Sequence, residues 1–124
     1  MTNILYIAGG GAVGALLRYW MSNGVHNLLG RDFPYGTLSV NLTGSILMGF
    51  LYVVVINRVV DAVEWRAALI IGLLGAFTTF SAFSFETLNL IEADELYKAA
   101  LNILLSVTLC IAGCWLGMIA GKQI

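Results

Sequence analysis

Charged residues are scarce in this sequence. Only 10% of the 124 residues are Asp, Glu, Lys or Arg, whereas soluble domains carry about 25%. A soluble fold of this size could not cover its apolar surface with so few charges, so a water-soluble domain is excluded. The formal net charge of -1 also excludes the excess of positive charge that nucleic-acid binding requires.

Cysteine and histidine are nearly absent as well. The two cysteines, Cys110 and Cys114, lie one helical turn apart, and the only histidine, His26, is far from them in sequence. One such pair in an apolar segment does not make a disulfide framework, and a metal site needs more ligands. We therefore interpret the cysteines as small packing residues. No pairing of a nucleophile with a base is evident, so an enzyme is not expected.

Apolar residues are what the sequence has in excess. They make up 60% of the chain, and the mean hydropathy is +0.91. A membrane-spanning helix needs about 20 mostly apolar residues. The segments that meet this length are Ile4 to Val25, Tyr35 to Ile56, Val63 to Ile91 and Tyr97 to Ala120. The first lacks the basic start of a cleavable signal peptide. The sequence thus predicts an all-α integral membrane protein, with residues 1–124 forming a single domain of four transmembrane helices.

Positive charges are divided almost equally between the two sides of this predicted bundle. One side carries Arg58, Arg66 and Lys122, and the other carries Arg31, Lys98 and, if its side chain reaches that way, Arg18. An asymmetry of Lys and Arg normally sets membrane orientation. Its absence predicts insertion in both orientations and an antiparallel homodimer. A bundle of four short helices is thin and leaves little room for a binding site inside one subunit, which also favours a site between subunits.

Two polar stripes recur every four residues, so each lies on one helix face. The stripes are Thr37, Asn41 and Ser45 in the second span, and Asn102, Ser106, Cys110 and Cys114 in the fourth. Asn41 is the costliest residue of the second-span stripe to place in hydrocarbon. Its amide either makes an interhelical hydrogen bond or faces a ligand, and the sequence leaves both interpretations open.

Two charged residues lie inside the spans. Arg18 follows Gly10 and Gly14 at four-residue spacing, and it must pair, reach the interface or attract anions into a vestibule. Glu86 lies deep in the third span. Its carboxyl group either faces water at a mouth, pairs with Arg18 or Arg66, or carries a proton, and the sequence does not decide among these.

The third span holds the most polar run. Gly75 and Thr78 lie where the helix is weakest, so we predict a break near mid-membrane whose freed carbonyls could bind a cation. Phe80 and Phe83 follow, three residues apart, among polar neighbours that include Ser81, Ser84 and Thr87. A phenylalanine stripe usually serves packing. Here the positive ring edges and the hydroxyl donors could together solvate a small dehydrated anion.

Three motifs resemble those of the Fluc family of bacterial fluoride channels, also called CrcB proteins. The motifs are GGGAVGALLRY at 9–19, GTLSVNLTGS at 36–45 and GLLGAFTTFSAFS at 72–84, and the similarity covers essentially the whole chain. The resemblance implies a dual-topology, antiparallel homodimer in the bacterial inner membrane. Such a dimer exports fluoride passively through two pores, each built from both subunits, and protects against fluoride toxicity.

The resemblance also implies roles for individual residues. Phe80 and Phe83 match the phenylalanines whose ring edges contact the ion, and Asn41 matches the pore asparagine. The hydroxyl track corresponds to Ser81, Ser84 and Thr87. The backbone carbonyls of Gly75 and Thr78 match the ligands of a structural Na⁺ at the dimer interface. Arg18 matches the arginine of the family's first span, and Glu86 is expected near a vestibule, so both are expected to be vestibule or structural charges.

Two other functions stay open on the residues alone. A small exporter of lipophilic cations would bind its substrate through a membrane carboxylate, for which Glu86 is the candidate. A non-transporting assembly subunit would use the polar stripes only to hold helices together.

Overall fold

The structure, a computed structural model, describes residues 2–58 and 62–124 and is helical over most of both ranges. The elements are α1 (Thr2–Leu29), α2 (Tyr35–Arg58), α3 (Ala62–Trp65), a π-helix (Arg66–Leu74), α4 (Gly75–Phe77), α5 (Phe80–Glu92) and α6 (Leu96–Gln123). Together, α3 to α5 form the third span. The stretches apolar and long enough to cross a membrane are Thr2–Leu29, Tyr35–Arg58, Val63–Glu92 and Leu96–Gln123. This confirms the prediction of an all-helical protein with four membrane-spanning segments.

Short turns join α1 to α2 and α5 to α6. Gly30, with φ of 89°, ends α1, and its N–H donates to the His26 carbonyl at 2.8 Å, a common way to end a helix. Asp94, with φ of 59°, makes the corresponding turn between α5 and α6. The second predicted connection, 57–62, falls largely on residues 59–61, which lie outside the described residues.

Glycines set how closely the helices approach. The helix α1 lies mainly against the π-helix, and α2 lies mainly against α6. A Cβ atom at Gly10 would collide with the Ala68 carbonyl, and one at Gly117 would collide with the Ile46 carbonyl. Backbones that come this near gain van der Waals contact, which is a main source of helix association in a bilayer.

The third span changes its backbone conformation several times along its length. The π-helix gives way to α4, and then Thr78 (φ -82°, ψ 154°) and Thr79 (φ -150°, ψ 121°) are extended. The helix resumes at Phe80. Two extended residues therefore divide the span, and their backbone groups need partners outside the helical ladder.

The single chain leaves most of its large apolar side chains exposed. Its fully buried side chains include Leu74, Val40 and Asn102, while Phe80 is 77% exposed. In a membrane protein such faces meet lipid or another subunit rather than water.

Candidate functional site

The Asn41 side chain pairs with the backbone of the interruption. Its Nδ2 donates to the Thr79 carbonyl at 2.9 Å, and the Thr79 N–H donates to its Oδ1 at 2.8 Å. The carboxamide thus satisfies both peptide groups of one extended residue. An NH₂ group has two donors, so a second N–H of Asn41 is left for another acceptor.

This pairing changes the donors that the preceding carbonyls receive. In a continuous helix the Thr79 N–H would donate to the Gly75 carbonyl, and the Ala82 N–H would donate to the Thr78 carbonyl. Instead, Thr79 donates to Asn41, and the Ala82 N–H donates to Thr79 Oγ1 at 3.1 Å. The carbonyls of Gly75 and Thr78 therefore lose their ordinary helical donors, and Gly75 is exposed on the surface of the chain.

A groove of about 410 Å³ opens beside the interruption, and we call it the phenylalanine groove. It contains Asn41, Phe80 and Phe83, whose two rings lie 5.3 Å apart at an interplanar angle of 44°. Its other lining residues are Gly44, Ser45, Met48, Thr78, Thr79, Ser106, Val107, Cys110, Ile111 and Cys114. The groove brings the predicted pore asparagine and both predicted phenylalanines together, along with Ser106, Cys110 and Cys114 of the fourth-span stripe.

A second cavity, of about 510 Å³, lies next to the groove, and we call it the arginine cleft. It contains Arg18, Ser81 and Glu86, together with Thr37 and Thr79. Thr79 lines both cavities. The Asn41–Thr79 pair therefore lies where the two cavities meet.

Within the described residues, only one of the two carboxyl oxygens of Glu86 has a hydrogen-bond partner. Thr37 Oγ1 donates to Glu86 Oε1 at 2.6 Å, whereas Glu86 Oε2 is buried and has no hydrogen-bond partner among the described residues. Within that part of the chain, neither Arg18 nor Arg66 forms a salt bridge with Glu86. Glu86 also lines a third cavity, of about 450 Å³, that contains His26 and Lys98. Glu86 is therefore a lining residue of both this cavity and the arginine cleft.

The hydroxyl groups of Ser84 and Thr87 donate to backbone carbonyls of their own helix, α5. Ser84 donates to the Phe80 carbonyl at 2.9 Å, and Thr87 donates to the Phe83 carbonyl at 2.7 Å. Thr87 Oγ1 also accepts from Asn102 Nδ2 at 2.9 Å. Neither Ser84 nor Thr87 lines the groove or the cleft, so both lie apart from the cluster around Asn41.

Sequence reasoning missed three features of this site. One is the role of Thr79, although threonine is a typical N-cap residue and its side chain here accepts from the Ala82 N–H. A second is the contact between Thr37 and Glu86, for which the polar stripe of the second span indicated Thr37 but not its partner. The third is Met48, whose place in the groove the sequence does not indicate, because an apolar residue does not show which helix it faces.

Comparison with known proteins identifies the family of the chain. A model of the family described as "CrcB-like protein, Camphor Resistance (CrcB)" matches residues 5–118. The chain belongs to this family. The predicted membership of the CrcB family is confirmed.

Curated relatives of the chain carry the name "Fluoride-specific ion channel FluC". One from Methylococcus capsulatus is 56% identical over 98% of the chain and 54% of the relative, so the chain spans about half of that protein. One from Coxiella burnetii is 52% identical over 98% of the chain and 99% of the relative. One from Geobacter sulfurreducens is 48% identical over the full length of both. Because this CrcB family is one of ion channels, the prediction that the protein is not an enzyme is confirmed.

Proposed function

We propose that this protein is a fluoride-selective ion channel of the bacterial inner membrane that exports F⁻ passively and protects against fluoride toxicity. The names of its relatives support the ion, and the phenylalanine groove supports the mechanism. The observation that carries the proposal is the Asn41–Thr79 pairing beside Phe80 and Phe83.

Fluoride is small and holds its water strongly, so a channel must replace that water with close donors. The Asn41 amide is fixed by Thr79 and keeps one N–H for the ion. The ring edges of Phe80 and Phe83 offer weak positive charge at the same groove. Weak, successive contacts of this kind allow the ion to leave as well as to enter.

Hydroxyl groups would extend this path. Ser81 lines the arginine cleft, and its Oγ lies 3.2 Å from Thr79 Oγ1. Ser84 and Thr87 would contribute more weakly, since their hydroxyl protons are donated to helix carbonyls. In this scheme the anion passes between cleft and groove at Thr79, the residue that both cavities share.

Arg18 and Glu86 would form the vestibule. Arg18 is half-buried in the cleft, where its charge would raise the local concentration of anions. Glu86 lies at the far wall, held by Thr37. A carboxylate at this place would repel the anion and shorten its residence time, which favours conduction over tight binding.

The working unit would be an antiparallel homodimer of dual topology with two pores, each built from both subunits. The near-equal division of Lys and Arg supports dual topology. The 77% exposure of Phe80 supports a partner, since a ring left in lipid could not face an anion path. The third span would then be broken near the middle of the membrane, at the subunit boundary.

The carbonyls released at the interruption fit a hard monovalent cation. Gly75 and Thr78 offer backbone oxygens without their ordinary helical donors, and such oxygens suit Na⁺. Gly75 and Thr78 would hold a structural Na⁺ at the dimer interface. When bound, Na⁺ would supply fixed positive charge there.

Fluoride efflux from liposomes tests the proposal. Purified protein is reconstituted into vesicles loaded with potassium fluoride or potassium chloride, and valinomycin starts the efflux that ion-selective electrodes follow. Selective fluoride efflux without a proton gradient is expected. Phe80→Ile and Phe83→Ile should lower fluoride flux at least about 100-fold without dissociating the dimer, since they remove the ring edges. Phe50→Ile, on α2 and outside all three cavities, is the matched control.

The other outcomes of this experiment separate the alternatives. Transport of lipophilic cations that requires a proton gradient would favour an exporter built on Glu86, whose buried oxygen Oε2 has no partner in residues 2–58 and 62–124. Absence of any transport from a well-folded, reconstituted protein would favour an assembly subunit. Normal fluoride flux in both phenylalanine variants would overturn the ring-edge mechanism.

A further inference from the structure

The phenylalanine groove contains three sulfur atoms that the proposed function does not use. They belong to Met48 on α2 and to Cys110 and Cys114 on α6. Both cysteines are free and half-buried. The sequence shows only the cysteine pair, which is too small for a metal site, and folding adds the third sulfur from another helix.

The packing of α2 on α6 brings these side chains to one place. A Cβ atom at Gly49 would collide with the Cys114 carbonyl, so the backbone next to Met48 touches the helical turn of Cys114. Ser45, one turn earlier in α2, lies beside Cys110. Cys110 and Cys114 are themselves neighbours on one face of α6, with Cβ atoms about 5–6 Å apart. All three sulfur side chains thus line one wall of the groove.

The chemistry of these donors selects a class of ligand. Two thiolates and a thioether are soft ligands, which favour soft cations such as Cu⁺ over Na⁺, Mg²⁺ or Ca²⁺. Among the residues that the structure describes, the lining of the groove contains no carboxylate and no imidazole, the donors that would suit harder metals. Binding would release the thiol protons to water, since the thiolate is the metal ligand.

We propose that Met48, Cys110 and Cys114 form a binding site for a soft monovalent cation of the Cu⁺ and Ag⁺ class. The occupant would lie in the same groove as Phe80 and Phe83 and would reduce ion flux there. The effect on flux rests on the proposed function, whereas the binding itself does not.

Direct binding of Ag⁺ is the first test, because Ag⁺ mimics Cu⁺ without requiring a reductant. The purified full-length protein is titrated with silver nitrate in chloride-free buffer, desalted, and analysed for bound silver by mass spectrometry. We expect about one tightly bound Ag⁺ per chain, and loss of that ion in the double variant Cys110→Ser, Cys114→Ser. Met48→Leu should weaken binding about tenfold while the cysteines still hold the ion.

The controls separate a site from general affinity for silver. Met21→Leu removes a thioether from α1, outside all three cavities, and should bind as the wild type does. Cys110→Ala and Cys114→Ala repeat the test with side chains of different polarity, and size-exclusion profiles identify any variant that fails to fold. Equal silver binding by the wild type and by folded double variants would overturn the site.

The second test measures flux. Fluoride efflux is recorded with increasing Ag⁺, and each variant is normalised to its own flux without silver. The concentration for half inhibition should rise at least about tenfold in the double serine variant. Equal inhibition of the two proteins would overturn the effect on flux. If the wild type conducts no fluoride, the proposed function fails, and the silver count still decides whether the sulfur site exists.

Discussion

The two halves of the third span are held in place by different chemistry. The first half, residues 62–77, packs against α1 where glycines let the backbones nearly touch, as at Gly10 and Ala68. The second half, α5, is held by side-chain hydrogen bonds to α2 and α6, including Thr37–Glu86 and Asn102–Thr87. The Asn41–Thr79 pair marks the boundary between the two.

This difference shows how a thin membrane protein divides structure from function. Lipid tails are as apolar as leucine, so close contact must come from small residues or from hydrogen bonds. Glycine contacts stabilise a fixed geometry but present nothing to an ion. Hydrogen-bonded polar groups cost more to bury, yet they leave spare donors, such as the second N–H of Asn41, on residues that line a cavity.

Replacing Asn41 with Leu should have the largest effect, because it breaks the boundary between the two halves. The change removes two hydrogen bonds and leaves the N–H and the carbonyl of Thr79 unpaired, at about 1–3 kcal/mol for each group. It also removes the free amide donor. We expect fluoride flux in liposomes to fall at least about 100-fold, with a lower unfolding midpoint in detergent.

Asn41→Asp sharpens this test, because it keeps an acceptor for the Thr79 N–H but loses the donors. Flux should stay as low as in the leucine variant, while stability should recover in part. Recovery of flux with aspartate would contradict an anion-donating role for the amide.

Adding one methyl group to Gly10 should have the next largest effect, this time on the first half. A Cβ atom there would collide with the Ala68 carbonyl, and backbone cannot yield as a flexible side chain does. We expect Gly10→Ala to lower the free energy of unfolding by about 1–3 kcal/mol, measured by denaturant titration in micelles. Gly9→Ala is the matched control, because a Cβ atom at Gly9 meets nothing within 4 Å. Equal stability of the two variants would contradict the backbone contact.

Much of this architecture could be predicted from sequence periodicity. Runs of apolar residues gave the four spans, and four-residue spacing placed Thr37 and Asn41 on one face of α2. Periodicity identifies a face of one helix, but it does not identify the helix that meets that face. The partners Thr79 and Glu86 depend on how α2 packs against the third span, which only the folded chain determines.

The sequence also identifies which residues carry polar side chains, but it does not identify the hydrogen-bond partners of those side chains. Ser84 and Thr87 look like free donors in the sequence, but both donate to carbonyls one turn earlier in α5. Thr87 in addition accepts from Asn102, a contact between residues of two different spans. Local hydrogen bonds of this kind are common for Ser and Thr in helices, and they depend on rotamers that composition does not specify.

Replacing Thr37 with Val should have a moderate effect on the second half. The variant keeps the shape of the side chain but removes the hydroxyl that donates to Glu86 Oε1, so that neither carboxyl oxygen has a partner in the described part of the chain. We expect a loss of about 1 kcal/mol in unfolding free energy and a several-fold change in fluoride flux. Thr43→Val, elsewhere on α2, is the matched control and should change neither quantity. A wild-type flux in Thr37→Val would mean that Glu86 needs no fixed position.

Replacing Ser84 with Ala should have the smallest effect. The Ser84 hydroxyl donates to the Phe80 carbonyl at 2.9 Å, and Thr108, which does not line the groove, makes the same kind of bond to the Leu104 carbonyl at 2.6 Å. Thr108→Ala is therefore a matched control, and both variants should change the unfolding free energy by no more than about 0.5 kcal/mol. A weak member of the hydroxyl track should lower fluoride flux by only about two- to threefold, and only in the Ser84 variant. A tenfold loss would mean that the hydroxyl leaves the Phe80 carbonyl to serve the ion. In that case, α5 would contribute donors along its length rather than only at the interruption.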